Sequence, residues 1–239
     1  MQNRTHAVMA QRWEPKGSLD DFPTPPWATR ALFEHVIPGP DFSKLSCLEP
    51  ACGLGYMVKV LSEYFGSVRC SDCHDYGRGD VLDYIRDPYP PLTYDWVITN
   101  PPFQLAEQFI LKSLDVARTG VAIIARTVFI ESIGRFERLF RDRPPVLFAQ
   151  FSERVPILRG RLDRNASTAT GYCWLVWNRV SSGHTRLVWI PPCRNRLEKS
   201  ADYDPCPTPA TKRYHEPGCK YAAEPKADGG VPPGGQVAP

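Results

Sequence analysis

The chain has 239 residues, of which 42% are hydrophobic and 23% are charged. These proportions exclude global disorder and allow one α/β domain with extensions. The formal net charge of +3 is too small to argue for nucleic-acid binding from composition alone. The N-terminal segment lacks the apolar core of a secretory signal, and no run is long enough to span a membrane. We therefore expect a cytoplasmic protein without membrane contact, whose eight cysteines are reduced.

Residues 1–20 are polar and are predicted to be a flexible N-terminal segment. Strand-like apolar runs then alternate with helical patterns, which predicts an α/β domain at residues 21–190. The predicted elements are strand Leu45–Glu49, helix Gly55–Phe65, strand Val68–Ser71, strand Tyr94–Thr99, helix Leu105–Ala117, strand Val121–Ala125, helix Ser132–Arg141, strand Val146–Phe151 and strand Tyr172–Trp177.

This alternation is typical of a mostly parallel sheet with helices on both faces. The last two predicted strands have no clear helix between them, so we expect them to pair antiparallel. Residues 191–239 contain ten of the 25 prolines and end in a glycine- and proline-rich run, which predicts a disordered tail.

A glycine-rich loop follows the first predicted strand. Gly53 and Gly55 allow the backbone to approach a ligand closely, but Val58 stands where a dinucleotide fingerprint needs a third glycine. Glu49, at the end of the strand, would repel a pyrophosphate and attract the ammonium group of an amino-acid-like cofactor. An ordinary strand-loop-helix turn is the alternative interpretation of this segment.

Two further acids follow the next strand. Asp72 comes about twenty residues after the loop, where a carboxylate is suited to accept hydrogen bonds from two ribose hydroxyls. Asp80 is positioned to accept a hydrogen bond from an adenine amino group. Each acid alone is more often a solvated turn residue, but three acids at successive strand ends favour a nucleoside-containing cofactor.

The predicted strand Tyr94–Thr99 ends in Asn100-Pro101-Pro102-Phe103. The prolines end the sheet ladder and hold Asn100 in an extended conformation. The Asn100 amide oxygen and the Pro101 carbonyl can then face one point and accept both hydrogens of a planar amino group. These two acceptors favour a pyramidal nitrogen with an exposed lone pair, and Phe103 offers a ring on which a target base can stack. A plain strand-ending turn is the alternative.

These segments resemble the N6-adenine DNA methyltransferases in which the cofactor loop precedes the catalytic tetrapeptide. The matches are Phe22-Pro23-Thr24-Pro25, the run from Leu48 to Gly55, and Asn100-Pro101-Pro102-Phe103. The resemblance implies S-adenosylmethionine as cofactor and a Rossmann-like, seven-stranded sheet with one antiparallel strand. It implies cofactor contacts from Phe22, Thr24, Pro25, Glu49, Ala51, Gly53, Gly55, Asp72 and Asp80.

The chain is more similar to prophage-type orphan enzymes of this family than to restriction subunits, because no large target-recognition domain follows. This departure leaves the preferred DNA sequence open. RNA bases, cytosine N4 and the side-chain amide of protein glutamine therefore remain alternative substrates. A non-catalytic nucleic-acid-binding relative is a further alternative, against which the complete tetrapeptide argues.

An arginine-rich stretch lies between the last two predicted strands. We expect Arg154, Arg159, Arg161 and Arg164 to contact DNA near the mouth of the site. A solvated basic face is the alternative. Because a target base inside a duplex is unreachable, the enzyme is expected to flip it out or to act on single strands.

Two groups of cysteines suggest metal or haem sites, and neither is persuasive. Cys70-Ser71-Asp72-Cys73-His74 has haem-attachment spacing, but it lies at the strand end assigned to the ribose, and haem attachment would require export. Cys193, Cys206 and Cys219 lie with His215 in the proline-rich tail. We expect no metal in the chemistry.

Overall fold

The computed structural model describes residues 20–39, 41–179 and 183–203. The predictions for residues 1–19 and 204–239 lie outside these ranges, as do Cys206, Cys219 and His215. Eight strands form one sheet in the order β3-β2-β1-β4-β5-β7-β6-β8. The strands are β1 (Ser46–Glu49), β2 (Ser67–Asp72), β3 (Asp80–Val81), β4 (Tyr94–Thr99), β5 (Ala117–Arg126), β6 (Leu147–Phe151), β7 (Tyr172–Asn178) and β8 (Arg186–Ile190).

Strand β7 runs antiparallel to its neighbours β5 and β6, and every other pairing in the sheet is parallel. The predicted α/β class, the mostly parallel sheet and the antiparallel pairing of β6 with β7 are confirmed. The sheet has eight strands rather than the seven that the resemblance implies. The edge strands β3 and β8 were not predicted, because β3 has two residues and β8 buries only Ile190.

In the described residues, five short helices flank the sheet. They are α1 (Pro26–Ala31), α2 (Tyr56–Tyr64), α3 (Ala106–Val116), α4 (Ile133–Arg135) and α5 (Arg194–Leu197). A turn of π-helix, Leu32–Val36, follows α1, and another, Phe136–Phe140, follows α4. Within the part of the chain that the structure describes, none of the helices has the length and apolar character needed to cross a bilayer.

Successive residues of the central strands contribute side chains alternately to two apolar clusters, one on each face of the sheet. Cys47 packs with Trp27 of α1 and Leu61 of α2 on one face. Leu48, its neighbour in β1, packs with Ile110 of α3 on the other face. Because side chains alternate along a strand, adjacent residues of one short strand fill both clusters. The central parallel strands β1, β4 and β5 are therefore buried on both faces over most of their length.

The sequence predicted one regular helix over Ser132–Arg141, and this prediction is wrong. Helix α4 covers only Ile133–Arg135, and the chain then widens into the π-helical turn Phe136–Phe140. Within these two elements only Leu139 is buried. A single buried residue does not provide the apolar stripe that holds a longer regular helix against a sheet.

The predicted start of the tail at residue 191 does not coincide with the end of packed structure. Arg30 of α1 is 3% exposed and makes paired hydrogen bonds of 2.7 and 2.8 Å to Asp202, which is 1% exposed. Arg30 also donates to Glu63 and to the Leu197 carbonyl. This buried ionic cluster extends the packed body to Tyr203, which composition alone could not indicate.

Candidate active site

The loops that follow β1, β2 and β4 meet at the carboxyl edge of the sheet, where open α/β sheets bind their ligands. Together with residues 20–24 they line a cleft of about 890 Å³ of open and enclosed space. The cleft is the candidate site.

The glycine-rich loop adopts a conformation that requires glycine. Gly53 has φ +49° and Gly55 has φ +82°, both in the left-handed region. A Cβ on Gly53 would meet nothing nearer than Asp21 at 3.8 Å, so conformation rather than space is the constraint. The Gly53 amide donates to Asp72 Oδ2 at 2.9 Å, which joins the loop to the end of β2. Ala51, Gly53 and Asp72 all line the cleft.

Glu49 is a carboxyl in the floor of the cleft with only 1% of its surface exposed. Its Oε1 accepts hydrogen bonds from Thr99 Oγ1 at 2.5 Å and from the Ala51 amide at 3.1 Å. Its Oε2 is buried and has no partner among the described residues. Burial raises the pKa of Glu49 well above its usual value, although the hydrogen bonds from Thr99 and Ala51 act in the opposite direction. A cationic donor facing Oε2 would satisfy this carboxyl.

The segment before α1 forms the opposite wall. Phe22 and Thr24 line the cleft, and the buried Thr24 Oγ1 has no partner among the described residues. Pro25 does not line the cleft, and its carbonyl accepts the first hydrogen bond of α1, from Ala28, at 2.9 Å. Gly55 likewise precedes α2 and does not line the cleft. The structure gives these two residues roles in turns.

The structure does not bring Asp80 to the cleft. Its carboxylate pairs with Arg69 at 2.7 Å on the outer part of the sheet. Asp83, three residues further on, lines the cleft instead, and its Oδ1 accepts from the Ile85 amide at 3.0 Å. The sequence contained no signal that favours one acid of this segment over the other, because the choice depends on the turn after β3. Tyr84, also in the lining, is a further residue that the sequence did not single out.

Asn100 is held at the end of β4. Its Nδ2 donates to the Phe22 carbonyl at 2.7 Å, which joins the tetrapeptide to the wall before α1. Its Oδ1 is buried and has no partner among the described residues. Asn100 and Pro102 line the cleft, so the free amide oxygen is an acceptor available to a ligand there.

Phe103 differs from the expected open stacking surface. Its ring is not part of the cleft lining; the ring centroid lies 5.0 Å from that of Phe22, with planes tilted by 45°. The guanidinium carbon of Arg126 lies 4.0 Å from the centroid, over the ring. The Phe103 amide donates to Asp20 Oδ2 at 2.5 Å. Sequence reasoning missed Arg126 and Asp20 as neighbours of the tetrapeptide, because both reach it from distant parts of the chain.

The four arginines predicted to bind DNA are all exposed. The Gly160 amide donates to the Asp21 carbonyl at 2.8 Å, so the loop that carries them reaches the rim of the cleft. Arg164 is engaged elsewhere, since it lies over the Tyr203 ring at 4.8 Å and pairs with Glu198 at 3.9 Å. Within the described ranges, no three His, Cys, Asp or Glu side chains form a group suited to a metal ion.

No protein-family model matches the chain, and no curated protein matches it in sequence. Among solved structures, it is similar to a modification subunit attributed to a type I restriction enzyme from Vibrio vulnificus YJ016, with a TM-score of 0.53 and 16% identity. The alignment covers 78% of this chain and 52% of that one, so the chain spans about half the length of that subunit.

A second similar structure is described as a class I S-adenosylmethionine-dependent methyltransferase from Listeria monocytogenes. It aligns with a TM-score of 0.49 and 12% identity over 73% of this chain and 67% of that one. The chain thus shares the fold of the Vibrio vulnificus modification subunit, which here is a mixed α/β fold built on a mostly parallel sheet.

Proposed function

We propose that the protein is an S-adenosylmethionine-dependent methyltransferase that methylates the exocyclic N6 amino group of adenine in DNA. The observation that carries the proposal is the free, buried Oδ1 of Asn100 at the end of β4. The fold supports the reaction class, and the free oxygen supports an amino group as the acceptor of the methyl group.

The residues of the cleft fit S-adenosylmethionine, which when bound supplies a methyl group on a positively charged sulfur. The unpartnered Glu49 Oε2 is suited to its ammonium group, and the unpartnered Thr24 hydroxyl can donate to its carboxylate. Asp72 lies at the end of β2, where an acid can accept hydrogen bonds from the ribose hydroxyls. Asp83 replaces Asp80 as the acid available to the adenine amino group.

The tetrapeptide orients the acceptor nitrogen. Asn100 Nδ2 is already bound to the Phe22 carbonyl, so the orientation of the amide is fixed, and its oxygen has no partner among the described residues. That oxygen accepts one hydrogen of the target amine, and the Pro101 carbonyl accepts the other. The nitrogen lone pair would then be withdrawn from conjugation with the ring and could attack the methyl carbon in line, so that the N–C bond would form as the C–S bond breaks, leaving a neutral thioether, and one amine proton would be lost to water.

The decisive experiment incubates the full chain with methyl-labelled S-adenosylmethionine and separate pools of DNA, RNA and protein. We expect label in DNA, and we expect digestion to nucleosides to recover it as N6-methyladenine. The variant Asn100→Ala should lower kcat by about a hundredfold or more while cofactor affinity changes little. Asn178→Ala, at the exposed end of β7, is the matched control and should retain full activity.

Other outcomes point to the alternative functions. Label on cytosine N4 or in RNA would keep the amine chemistry and change the substrate. Label confined to protein would favour a glutamine amide. Cofactor binding without transfer to any pool would favour a non-catalytic nucleic-acid-binding relative, and full activity in Asn100→Ala would refute the assigned mechanism.

A further inference from the structure

Arg126 is the last residue of β5, the strand beside β4. The parallel pairing sets Thr99 opposite Ile123, so residue 126 extends to the level of residue 102 in the tetrapeptide. Its guanidinium lies over the Phe103 ring, with 4.0 Å between the guanidinium carbon and the ring centroid. Arg126 therefore stands directly beside the candidate target-amine site.

Arg126 is a half-buried residue, and its guanidinium makes no hydrogen bond or ion pair with any described residue. An arginine without a protein partner keeps its N–H donors available to a ligand. Stacking uses only the face of the guanidinium plane and leaves the N–H donors around its edge available. An anion can therefore bind at the edge while the face still contacts Phe103.

Arg135 shows that this arrangement is not simply how arginines pack here. It also lies over an aromatic ring, that of Phe129, at 4.3 Å. Its Nη1, however, donates to the Phe129 carbonyl at 2.9 Å within its own segment. Of these two stacked arginines, Arg126 is the one whose donors have no acceptor among the described residues.

A second guanidinium, that of Arg154, lies close to the chain at Thr127. A Cβ built on Gly171 would lie 3.0 Å from Thr127 Oγ1 and 3.3 Å from Arg154 Nη1, so Arg154 adjoins the residue that follows Arg126. The cleft itself is lined by acids and contains no lysine or arginine among its described lining residues. An anionic group is thus repelled from the cleft and attracted to its rim at Arg126 and Arg154.

We propose that Arg126, assisted by Arg154, binds a backbone phosphate next to the target base. This inference rests on the proposed function and deepens it, because it identifies the substrate as a nucleotide within a strand. A nucleotide whose amine reaches Asn100 carries its phosphates away from the base, toward the rim. Arginine binds phosphate through two parallel N–H donors, which the free edge of Arg126 can supply.

The test measures binding of a fluorescein-labelled, mixed-sequence DNA of thirty nucleotides, single- and double-stranded, across a series of salt concentrations. The full chain is saturated with S-adenosylhomocysteine. For Arg126→Gln we expect roughly tenfold weaker binding. The slope of log affinity against log salt should fall by about 0.7 on single strands or about 0.9 on duplex, the value for one lost phosphate contact. The KM for DNA should rise more than kcat falls.

Two variants serve as controls. Arg126→Lys retains the charge without the planar fork, so it should restore the slope and recover part of the affinity. Arg135→Gln should match the wild-type slope. Unchanged affinity for S-adenosylhomocysteine will show that the Arg126 variants are folded, because Arg126 does not line the cleft.

A wild-type slope in Arg126→Gln, or an equal fall in Arg135→Gln, would overturn the phosphate contact while leaving methylation intact. A wild-type protein that binds neither form of DNA would overturn the proposed function together with this inference. These two failures are therefore distinguishable.

Discussion

The buried carboxyl of Glu49 predicts how cofactor affinity depends on pH. In the free protein, burial raises the pKa of Glu49 well above its usual value of about 4.3. The ammonium group of S-adenosylmethionine, facing Glu49 Oε2, would favour the carboxylate and lower that pKa in the complex. Binding should therefore release one proton at a pH between the two pKa values.

The release of one proton determines how steeply cofactor affinity changes with pH. Affinity should rise up to tenfold per pH unit, equivalent to about 1.4 kcal/mol, between the pKa of Glu49 in the complex and its raised pKa in the free protein, and level off above that range. The measurements should stay below about pH 7, because the α-amino group of the cofactor titrates at about 7.7 to 8.0. Glu49→Gln removes the titrating group, so its affinity should be lower and independent of pH.

Isothermal titration in two buffers of different ionisation enthalpy measures the released proton directly.

Folding stability should depend on pH in the opposite direction to cofactor affinity. Because the pKa of Glu49 is raised in the folded protein, its ionisation opposes folding, and the unliganded protein should lose stability as pH rises through that range. Glu49→Gln should not show this loss. Equal pH dependence of cofactor affinity in wild type and Glu49→Gln, or binding without proton release, would refute the reasoning.

Two further predictions concern packing. Asp202→Asn leaves the charge of Arg30 short of a buried partner, and thermal or urea unfolding should show a loss of about 3 kcal/mol, the low end for breaking a buried pair because Arg30 keeps Glu63. Gly120→Ala would place a Cβ 2.6 Å from the ring of Trp96, and the same measurement should show a loss of about 1–3 kcal/mol from overpacking.

Each packing prediction has a matched control. Asp142→Asn removes an exposed ion pair with Arg141 and should change stability by less than about 0.5 kcal/mol. Gly134→Ala places its Cβ 2.9 Å from the end of the flexible Arg138 side chain, which can move aside, so it should be nearly neutral. If Asp202→Asn were as mild as Asp142→Asn, the C-terminal segment would not be held by this ion pair.

Local patterns were sufficient for the central elements. Strand β4 was predicted with its observed bounds, because its apolar residues Trp96–Ile98 are followed closely by two prolines, which end a strand. The glycine loop was placed between β1 and α2 for a similar reason, since Gly53 and Gly55 adopt conformations that only glycine adopts readily. The edge strands lacked such patterns, because a strand with one exposed face and one neighbour needs little apolar sequence.

The sequence by itself determined the α/β order, the glycine-rich loop and the tetrapeptide, since each depends on residues that are neighbours along the chain. Only the tertiary structure decided that Asp83 rather than Asp80 lines the cleft and that Arg126 lies over Phe103. It alone also showed that Asp202 binds Arg30. These contacts join residues from separate segments of the chain. They depend on strand register and on where loops cross the sheet, which the local sequence pattern does not specify.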